Sequence, residues 1–336
     1  MRKVDVLIVG AGPAGTSCAF ELLKAGKDCL LIDRAEFPRD KLCGGGLTPK
    51  AWHLLDTLFP DLQYDYLPVD HMQLYMCGRY IGRYGLYSEI RVVQRKVFDN
   101  LLLQEYLRKG GRFEQNRLIS IEEPGEGRVV ATLSDGEPVE CRYLVGADGA
   151  SSRVRKYLNP STRRGILILE QYCQKGSNDD IVIELAPNYR NGYFYIFPNK
   201  AHDAIGYGEN DTTFEKWNRG VLLDGKNAEG RLRGAMITTD IDYPQHDRIL
   251  LVGDAGCWCD RLSYEGIYYA LATGQAASQA IITGKSFAEV SSWIAAKKRH
   301  RVAAAAILYN RPVLHLVGRI ARHQHLTERI LNRYLR

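Results

Sequence analysis

Val4-Asp5-Val6-Leu7-Ile8-Val9-Gly10-Ala11-Gly12-Pro13-Ala14-Gly15 is the stretch that decides the fold. The apolar run, interrupted only by Asp5, reads as a buried strand, and Gly10 to Gly15 follows it as a Gly-x-Gly-x-x-Gly turn. Thr16 to Lys24 has helical composition, and Gly26 stands where a helix ends on a left-handed glycine. Cys29-Leu30-Leu31-Ile32 is a second apolar strand closing on Asp33. Strand, turn, helix and strand in this order make a dinucleotide fingerprint. Gly10 permits the tight turn, Gly12 lets a pyrophosphate approach the backbone, and Gly15 lets helix and strand pack closely. The helix start at Ala14 and Gly15 offers free N–H groups and a partial positive charge to phosphates. Asp33, followed by Arg34, can accept hydrogen bonds from both ribose hydroxyls and disfavours a 2′-phosphate, which argues against NADP at this site.

The turn alone does not separate FAD from NAD. Two later segments do: Tyr143-Leu144-Val145-Gly146-Ala147-Asp148-Gly149-Ala150-Ser151-Ser152-Arg153-Val154-Arg155, and Ile249-Leu250-Leu251-Val252-Gly253-Asp254-Ala255-Gly256. Each sets an Asp beside Gly just after an apolar strand, where Asp148 and Asp254 can meet polyol hydroxyls. Between these landmarks, Met72–Met76 and Tyr80–Tyr84 read as short strands. Arg95 to Lys109 is a predicted helix with Val97, Phe98, Leu101, Leu102 and Leu107 on its apolar face. Residues 128–133 and 139–144 form a predicted hairpin around Asp135-Gly136, and Leu144-Val145-Gly146 a returning apolar strand. The region 165–243 is strand-like and Tyr-rich, Gly266 to Ile282 is helical, and the remainder is helical and basic. The expected fold is α/β. A Rossmann-type FAD-binding domain is assembled from 1–70, 94–160 and 245–285. A mostly antiparallel sheet domain, 71–93 and 161–244, is inserted into it, and a helical C-terminal region covers 286–336.

Apolar residues make up 45% of the 336 and charged residues 25%, the balance of a soluble globular protein. The net charge, 45 − 39 = +6, is a mild surplus that suits a solvated surface or an anionic cofactor, substrate or membrane surface. No nucleic-acid partner is expected. The eight cysteines are scattered without disulfide-framework spacing, and Val4 to Gly10 reads as a strand rather than a signal peptide. Reduced thiols and a cytoplasmic location follow as expectations. No run of 18 apolar residues suggests a membrane span.

The Gly-x-Gly-x-x-Gly, Gly-x-Asp-Gly-x-x-Ser-x-Val-Arg and late Gly-Asp motifs together resemble the para-hydroxybenzoate hydroxylase-type flavoprotein superfamily. Within it, Pro38-Arg39-Asp40-Lys41-Leu42-Cys43-Gly44-Gly45 resembles the PRDKxCGG stretch of the geranylgeranyl reductase family. Tyr193-Phe194-Tyr195-Ile196-Phe197-Pro198 is similar to its YxWxFP, and Ser263-Tyr264-Glu265-Gly266-Ile267-Tyr268-Tyr269-Ala270 to its SxEGIxYA. The resemblance covers about residues 1–285. It implies that Asp254 meets the ribityl or phosphate part of FAD, that the backbone N–H groups of Gly266 and Ile267 meet the pyrimidine edge, and that Arg95 binds FAD. It places Cys43 beside the isoalloxazine, with Gly44 and Gly45 allowing close approach of backbone to ring, and makes Cys43 the candidate proton donor. Tyr193, Tyr195 and Phe197 alternate along one strand face and would line the substrate site. Two departures stand out. Tyr195 replaces the family's Trp, and Cys257-Trp258-Cys259 follows the Gly-Asp motif, where small residues are usual. The cysteine pair reads as space-filling thiols, with a redox pair or two metal ligands as alternatives.

The activity expected is an FAD-dependent oxidoreductase that saturates carbon–carbon double bonds in an isoprenoid or other hydrophobic substrate. A flavin monooxygenase acting on an aromatic group is the second reading, and a flavoprotein maturation factor acting on a partner protein the third. With one dinucleotide fingerprint, electrons would come from transiently bound NAD(P)H, a ferredoxin or a quinol. The basic, apolar-studded tail from Arg301 to Arg322 suits peripheral membrane contact or a packed helix pair.

Overall fold

A computed structural model of the chain describes residues 1–125, 127–159, 166–186, 192–208, 228–239 and 246–336. The chain opens with β1 (Arg2–Val9), α1 (Pro13–Lys24) and β2 (Cys29–Asp33), then β3 (Gly46–Leu47), α2 (Pro49–Leu58), β4 (Leu67–Met76) and β5 (Arg79–Val92). Next come α3 (Arg95–Arg108), β6 (Phe113–Gln115), β7 (Leu118–Gly125), β8 (Arg128–Leu133), β9 (Pro138–Gly146) and α4 (Arg153–Leu158). Strands β10 (Ile166–Gln174), β11 (Ile181–Leu185), β12 (Phe194–Pro198), β13 (His202–Gly208) and β14 (Ala228–Ile237) precede β15 (Ile249–Leu251) and a 3-10 turn at Gly253–Gly256. The chain ends in α5 (Ile267–Thr283), α6 (Phe287–Val290), α7 (Ser292–Leu308), α8 (Arg311–Ala321) and α9 (Gln324–Leu335).

The first sheet has the order β6-β2-β1-β9-β8-β7, with β15 also on β9. β1 lies between parallel neighbours, Val6–Val9 opposite Cys29–Ile32 on one side and Tyr143–Gly146 on the other. Both faces of β1 are covered, which is why Val6 to Val9 is apolar without alternation; Asp5, the interruption, is exposed. Phe20, Phe98, Leu102 and Leu271 from α1, α3 and α5 fill one side of the sheet, and Leu118, Val129, Leu133 and Val154 the other. The hairpin strand and the returning strand read separately in the sequence are one: β9 pairs antiparallel with β8 through Val139–Cys141 and parallel with β1 along its length. The buried face of α3 also differs from the periodicity reading. Val97 is 46% exposed, whereas Phe98, Leu102, Leu103 and Tyr106 are buried together with Arg95 and Asp99. The Arg95–Asp99 ion pair turns the helix about its axis relative to a purely apolar stripe.

The second sheet has the order β14-β10-β13-β12-β11-β4-β5-β3 and is antiparallel except where β11 runs parallel to β4. It takes in chain from Leu67 and the two residues Gly46–Leu47, which pair with Val92 and Arg91, so the loop after β2 is tied to this sheet. Helices α8 and α9 close over it. Tyr84 Oη donates to the Ala321 carbonyl (2.6 Å), the Asn332 amide bonds the Gly85 carbonyl (3.0 Å) and the Tyr87 N–H (2.6 Å), and Leu335 packs with Val69, Ile90 and Val92. No helix among the described residues is long and apolar enough to cross a membrane.

Candidate active site

The fingerprint turn is built so that side chains would not fit. Gly10 has φ +108° and lies against Ala147 and Asp148, where a Cβ would sit 2.9 Å from the Asp148 nitrogen; a Cβ on Gly15 would be driven into the Gly10 carbonyl. Asp33 Oδ2 accepts the Ala11 N–H at 2.8 Å and Oδ1 the Ala35 N–H at 2.9 Å, so the acid at the end of β2 also fixes the turn. Arg34 beside it is exposed and Ala14 is buried. The N-terminus of α1 at Gly12 has no side-chain cap and no acid in its first turn, leaving its N–H groups for a ligand. These features fit a dinucleotide pyrophosphate.

The remote motifs converge on the same place. Gly253 packs on Ala14, and a Cβ on Gly266 would lie 3.8 Å from Asp254 Oδ1. Asp148 Oδ2 accepts the Arg153 N–H at 2.7 Å at the start of α4, while its Oδ1 is buried with no hydrogen-bond partner of good geometry among the described residues; burial pushes this carboxyl up. Arg155, the last residue of that motif, donates to the carbonyls of Asp254 (2.9 Å) and Ala255 (2.8 Å), so one motif holds the backbone of the other. The N-terminus of α5 at Gly266 is likewise uncapped by any side chain, and Ile267 is buried.

Cations gather here that the fingerprint does not name. Arg95 donates twice to the fully buried Asp99, at 2.7 and 2.8 Å, and Arg39 reaches the same carboxylate at 3.1 Å. Two guanidiniums against one carboxylate leave net positive charge, and the Arg39 tip is 3.2 Å from where a Gly12 Cβ would stand. Burial opposes the charge on Arg95, but Asp99 and Cys43 hold its guanidinium above the usual value. Lys41 lies 3.7 Å from Asp254. Sequence reasoning missed Arg39 as a site residue, although it is the Arg of the PRDKxCGG-like stretch.

A cavity of about 480 Å³ opens from this convergence. At its inner end stand Lys41 to Gly46 and Ser263 to Ile267. Cys43 is half-buried there and its Sγ accepts the Gly45 N–H at 3.4 Å. Gly44 and Gly46 lie against the Phe197 ring, where added Cβ atoms would come within 2.7 and 2.5 Å, and Gly45 has φ +76°. One wall is the face of the second sheet bearing Met72, Leu74, Ile183, Tyr193, Tyr195 and Phe197. Opposite it, Val317, Ile320, Ile330, Leu331 and Tyr334 of α8 and α9 form a roof. Ile320 and Ile330 are also 40% and 56% exposed, which puts them at the mouth. Tyr264 holds φ +53° and stacks on Tyr193 with ring centroids 5.3 Å apart. A bulky residue held there is strained backbone of the kind that clusters at working sites. Glu265, itself part of the lining, pairs with Lys50 behind it. Cys257 and Cys259 are both buried, and burial pushes the Cys259 thiol up.

A family model described as an FAD binding domain matches residues 3–169. An uncharacterized protein of Methanosarcina barkeri is 30% identical over 295 residues, 84% of this chain and 75% of its own length. The chain belongs to the geranylgeranyl reductase family of FAD-dependent oxidoreductases. Another relative in this family, digeranylgeranylglycerophospholipid reductase 1 of Methanopyrus kandleri, is 27% identical over 308 residues, 83% of this chain and 80% of its own length. The crystal structure of a geranylgeranyl bacteriochlorophyll reductase-like protein from Thermoplasma acidophilum shares the fold, with TM-score 0.81 and 20% identity over 96% of this chain and 92% of the other. The cofactor of this family member is FAD.

Proposed function

We propose that this flavoprotein reduces carbon–carbon double bonds in a polyprenyl or similarly apolar chain. The observation that carries the reading is the shape and lining of the cavity. It begins at the Cys43 and Gly266 segments, where the flavin ring would lie, and continues along an apolar sheet face under α8 and α9. A volume of about 480 Å³ belongs to a small-molecule site, and its lining offers a flexible hydrocarbon shape complementarity with few polar demands. The relative from Methanopyrus, by its name, acts on a geranylgeranylated lipid.

In this reading Gly10, Gly12, Ala14 and Gly15 cradle the pyrophosphate, with Arg39 as its nearest cation. Asp33 and Arg34 attend the adenosine ribose, and Asp148, Asp254 and Arg95 the central part. Gly266 and Ile267 aim the positive end of α5 at the ring's pyrimidine edge. FAD bound there supplies hydride chemistry. The chain's own work is to order the substrate against Tyr193, Tyr195 and Phe197, to exclude water beneath α8 and α9, and to place an acid near the reacting carbons, with Cys43 the first candidate. The sheet strands form a substrate domain on the FAD domain, with the helices after 286 as its cover. Electrons come from NAD(P)H, a ferredoxin or a quinol. The cavity mouth at Ile320 and Ile330, with exposed Leu316, Arg319, Arg322 and Arg329 on the same two helices and the turn between them, suits contact with a membrane surface from the cytoplasmic side.

The test is anaerobic. Protein reduced with dithionite and freed of excess reductant is mixed with geranylgeraniol. Return of the yellow absorbance without oxygen, together with a product two hydrogens heavier, supports reduction. Reoxidation that occurs only when air is admitted, with oxygen uptake stimulated by an aromatic compound, points instead to the monooxygenase.

A further inference from the structure

The second sheet carries a buried acid to which no role in the reading above has been given. Glu170 lies on β10 and is 0% exposed. The register places Tyr195 opposite Gly206, Gly206 opposite Glu170, and Glu170 opposite Arg233, so the four form one row across β12, β13, β10 and β14. Residues in such a row share a sheet face. Tyr195 lines the cavity, and Glu170 and Arg233 lie on the same face of the sheet behind that lining.

Gly206 makes the row work. A Cβ there would fall on the Tyr195 hydroxyl and within 2.9 Å of the Leu169 carbonyl. With no side chain on β13, the phenol crosses that strand and its Oη lies 2.7 Å from Glu170 Oε2. The other oxygen, Oε1, is buried and makes no hydrogen bond of good geometry among the described residues, although the Cys43 backbone N–H lies close enough to the carboxyl to favour its charged form. A carboxylate with a bare oxygen in an apolar wall is expensive, whereas a neutral carboxyl leaves bare only a carbonyl oxygen. Burial pushes the Glu170 carboxyl up; Tyr195, Arg233 and the Cys43 backbone N–H oppose this, and Asp40 reinforces it. Arg233 is itself engaged with Asp40 and lies over the Tyr172 ring at 4.5 Å.

We propose that Glu170 and Tyr195 are a proton-donating pair for the reduction, Tyr195 handing a proton to the bound substrate and Glu170 restoring it. The inference rests on the double-bond reductase reading and deepens it. With Glu170 protonated, its Oε2–H donates to Tyr195 Oη, which frees the phenolic O–H for the cavity. The substrate π bond breaks as two C–H bonds form, one from the hydride that bound, reduced FAD would supply and one from the Tyr195 proton. Tyr195 is reprotonated as the Glu170 O–H bond breaks. The Glu170 carboxylate regains its proton from solvent on the side of Asp40 and Arg233, whose side chains are 46% and 33% exposed. Each double bond consumes one hydride and one proton, and the electrons come from the external donor through FAD. Cys43, the candidate offered by the sequence, then becomes a neighbour of the pair rather than the acid.

Two measurements on the full chain test this. Infrared difference spectra of wild type and E170Q, taken at neutral pH without substrate, read the protonated-carboxyl C=O band directly. A band present in wild type and absent in E170Q supports the pair; a carboxylate at Glu170 overturns it, whatever the substrate proves to be. The second is the anaerobic reoxidation by geranylgeraniol, with FAD affinity measured in parallel. E170Q and Y195F should bind FAD as wild type does and slow reoxidation roughly 100-fold, the range of general acid catalysis, while C43A slows it less. Wild type that geranylgeraniol cannot reoxidise counts against the reductase reading. Wild type that is reoxidised and matched by E170Q counts against the pair alone.

Discussion

Lys50 Nζ meets Glu265 Oε2 at 2.8 Å, with both side chains only 7% exposed, one residue before the uncapped start of α5. The Thr48 hydroxyl donates to the other Glu265 oxygen, and Lys50 also reaches the Tyr334 carbonyl at 3.4 Å near the end of α9. This ion pair therefore joins the first turn of α2, the segment leading into α5 and the roof of the cavity. Replacing Lys50 by Met leaves Glu265 buried and unpaired. Loss of one partner of a buried pair costs about 3–5 kcal/mol, so K50M should shift the urea midpoint strongly downward. The double variant K50M/E265L removes the uncompensated charge and should recover most of the loss. A K50M midpoint equal to wild type would show the pair to be solvated.

Gly15 and Gly12 should fail differently when changed to alanine. The Gly15 Cβ would enter the Gly10 carbonyl, backbone against backbone, so G15A should unfold the first unit or yield no folded protein. The Gly12 Cβ would meet only the flexible tip of Arg39 at 3.2 Å. G12A should melt near the wild-type temperature as apoprotein yet lose roughly tenfold or more in FAD affinity, about 1.4 kcal/mol, because in the proposed binding mode the methyl would stand where the pyrophosphate approaches. Flavin absorbance titrations and thermal melts without FAD separate the two outcomes.

The first unit was legible because its signals are local. A strand, a turn that demands glycine and an acid at a strand end lie within residues 4–33, and their chemistry survives in one dimension. The face of α3 was misread at Val97 because its buried side is organised by a polar pair, Arg95 and Asp99, that a hydrophobic periodicity discounts. Arg39 stood in a quoted motif, but its place above Gly12 depends on how the loop after β2 folds back. Glu170 was invisible. Its link to Tyr195 crosses a strand at Gly206, and nothing in the sequence between them announces which residues face each other. The tail read as helical and basic; that α8 and α9 roof the cavity follows from bonds such as Tyr84 to Ala321, far apart in the chain.

Asp180 gives the second sheet a pH dependence. Its carboxylate accepts two bonds from Arg83, at 2.7 and 3.0 Å, and one from Gln73 at 2.7 Å, and these hold it below the usual carboxylate range. A carboxyl depressed in the folded state adds stability that is fully present above its unfolded value, about 3.9, and that fades as pH falls through the folded value. The stability difference between wild type and D180N should therefore be level from pH 5 to 8 (roughly, on that reference value) and narrow below about pH 4. Arg83 is 49% exposed, so added salt should shrink the difference at neutral pH. Urea midpoints at three pH values read this, and a gap that widens in acid would reverse the assignment.

The cavity mouth should respond to the charge of a membrane before it responds to its fluidity. Ile320 and Ile330 line the opening and are 40% and 56% exposed, and Leu316, one turn before Ile320 on α8, is 57% exposed, with Arg319 and Arg322 exposed on the same stretch of chain. Basic side chains near an anionic surface contribute about 1 kcal/mol each, so R319Q/R322Q should weaken binding to phosphatidylserine-containing vesicles by about 2 kcal/mol, roughly 30-fold. Binding to neutral phosphatidylcholine vesicles should change little, because there only the apolar side chains contribute. I330E should weaken binding to both compositions, since it places a charge among the residues that would enter the interface. Co-sedimentation at low and physiological salt distinguishes these cases. If R319Q/R322Q binds the anionic vesicles as wild type does, the arginines take no part in docking and the proposed membrane contact at the mouth fails.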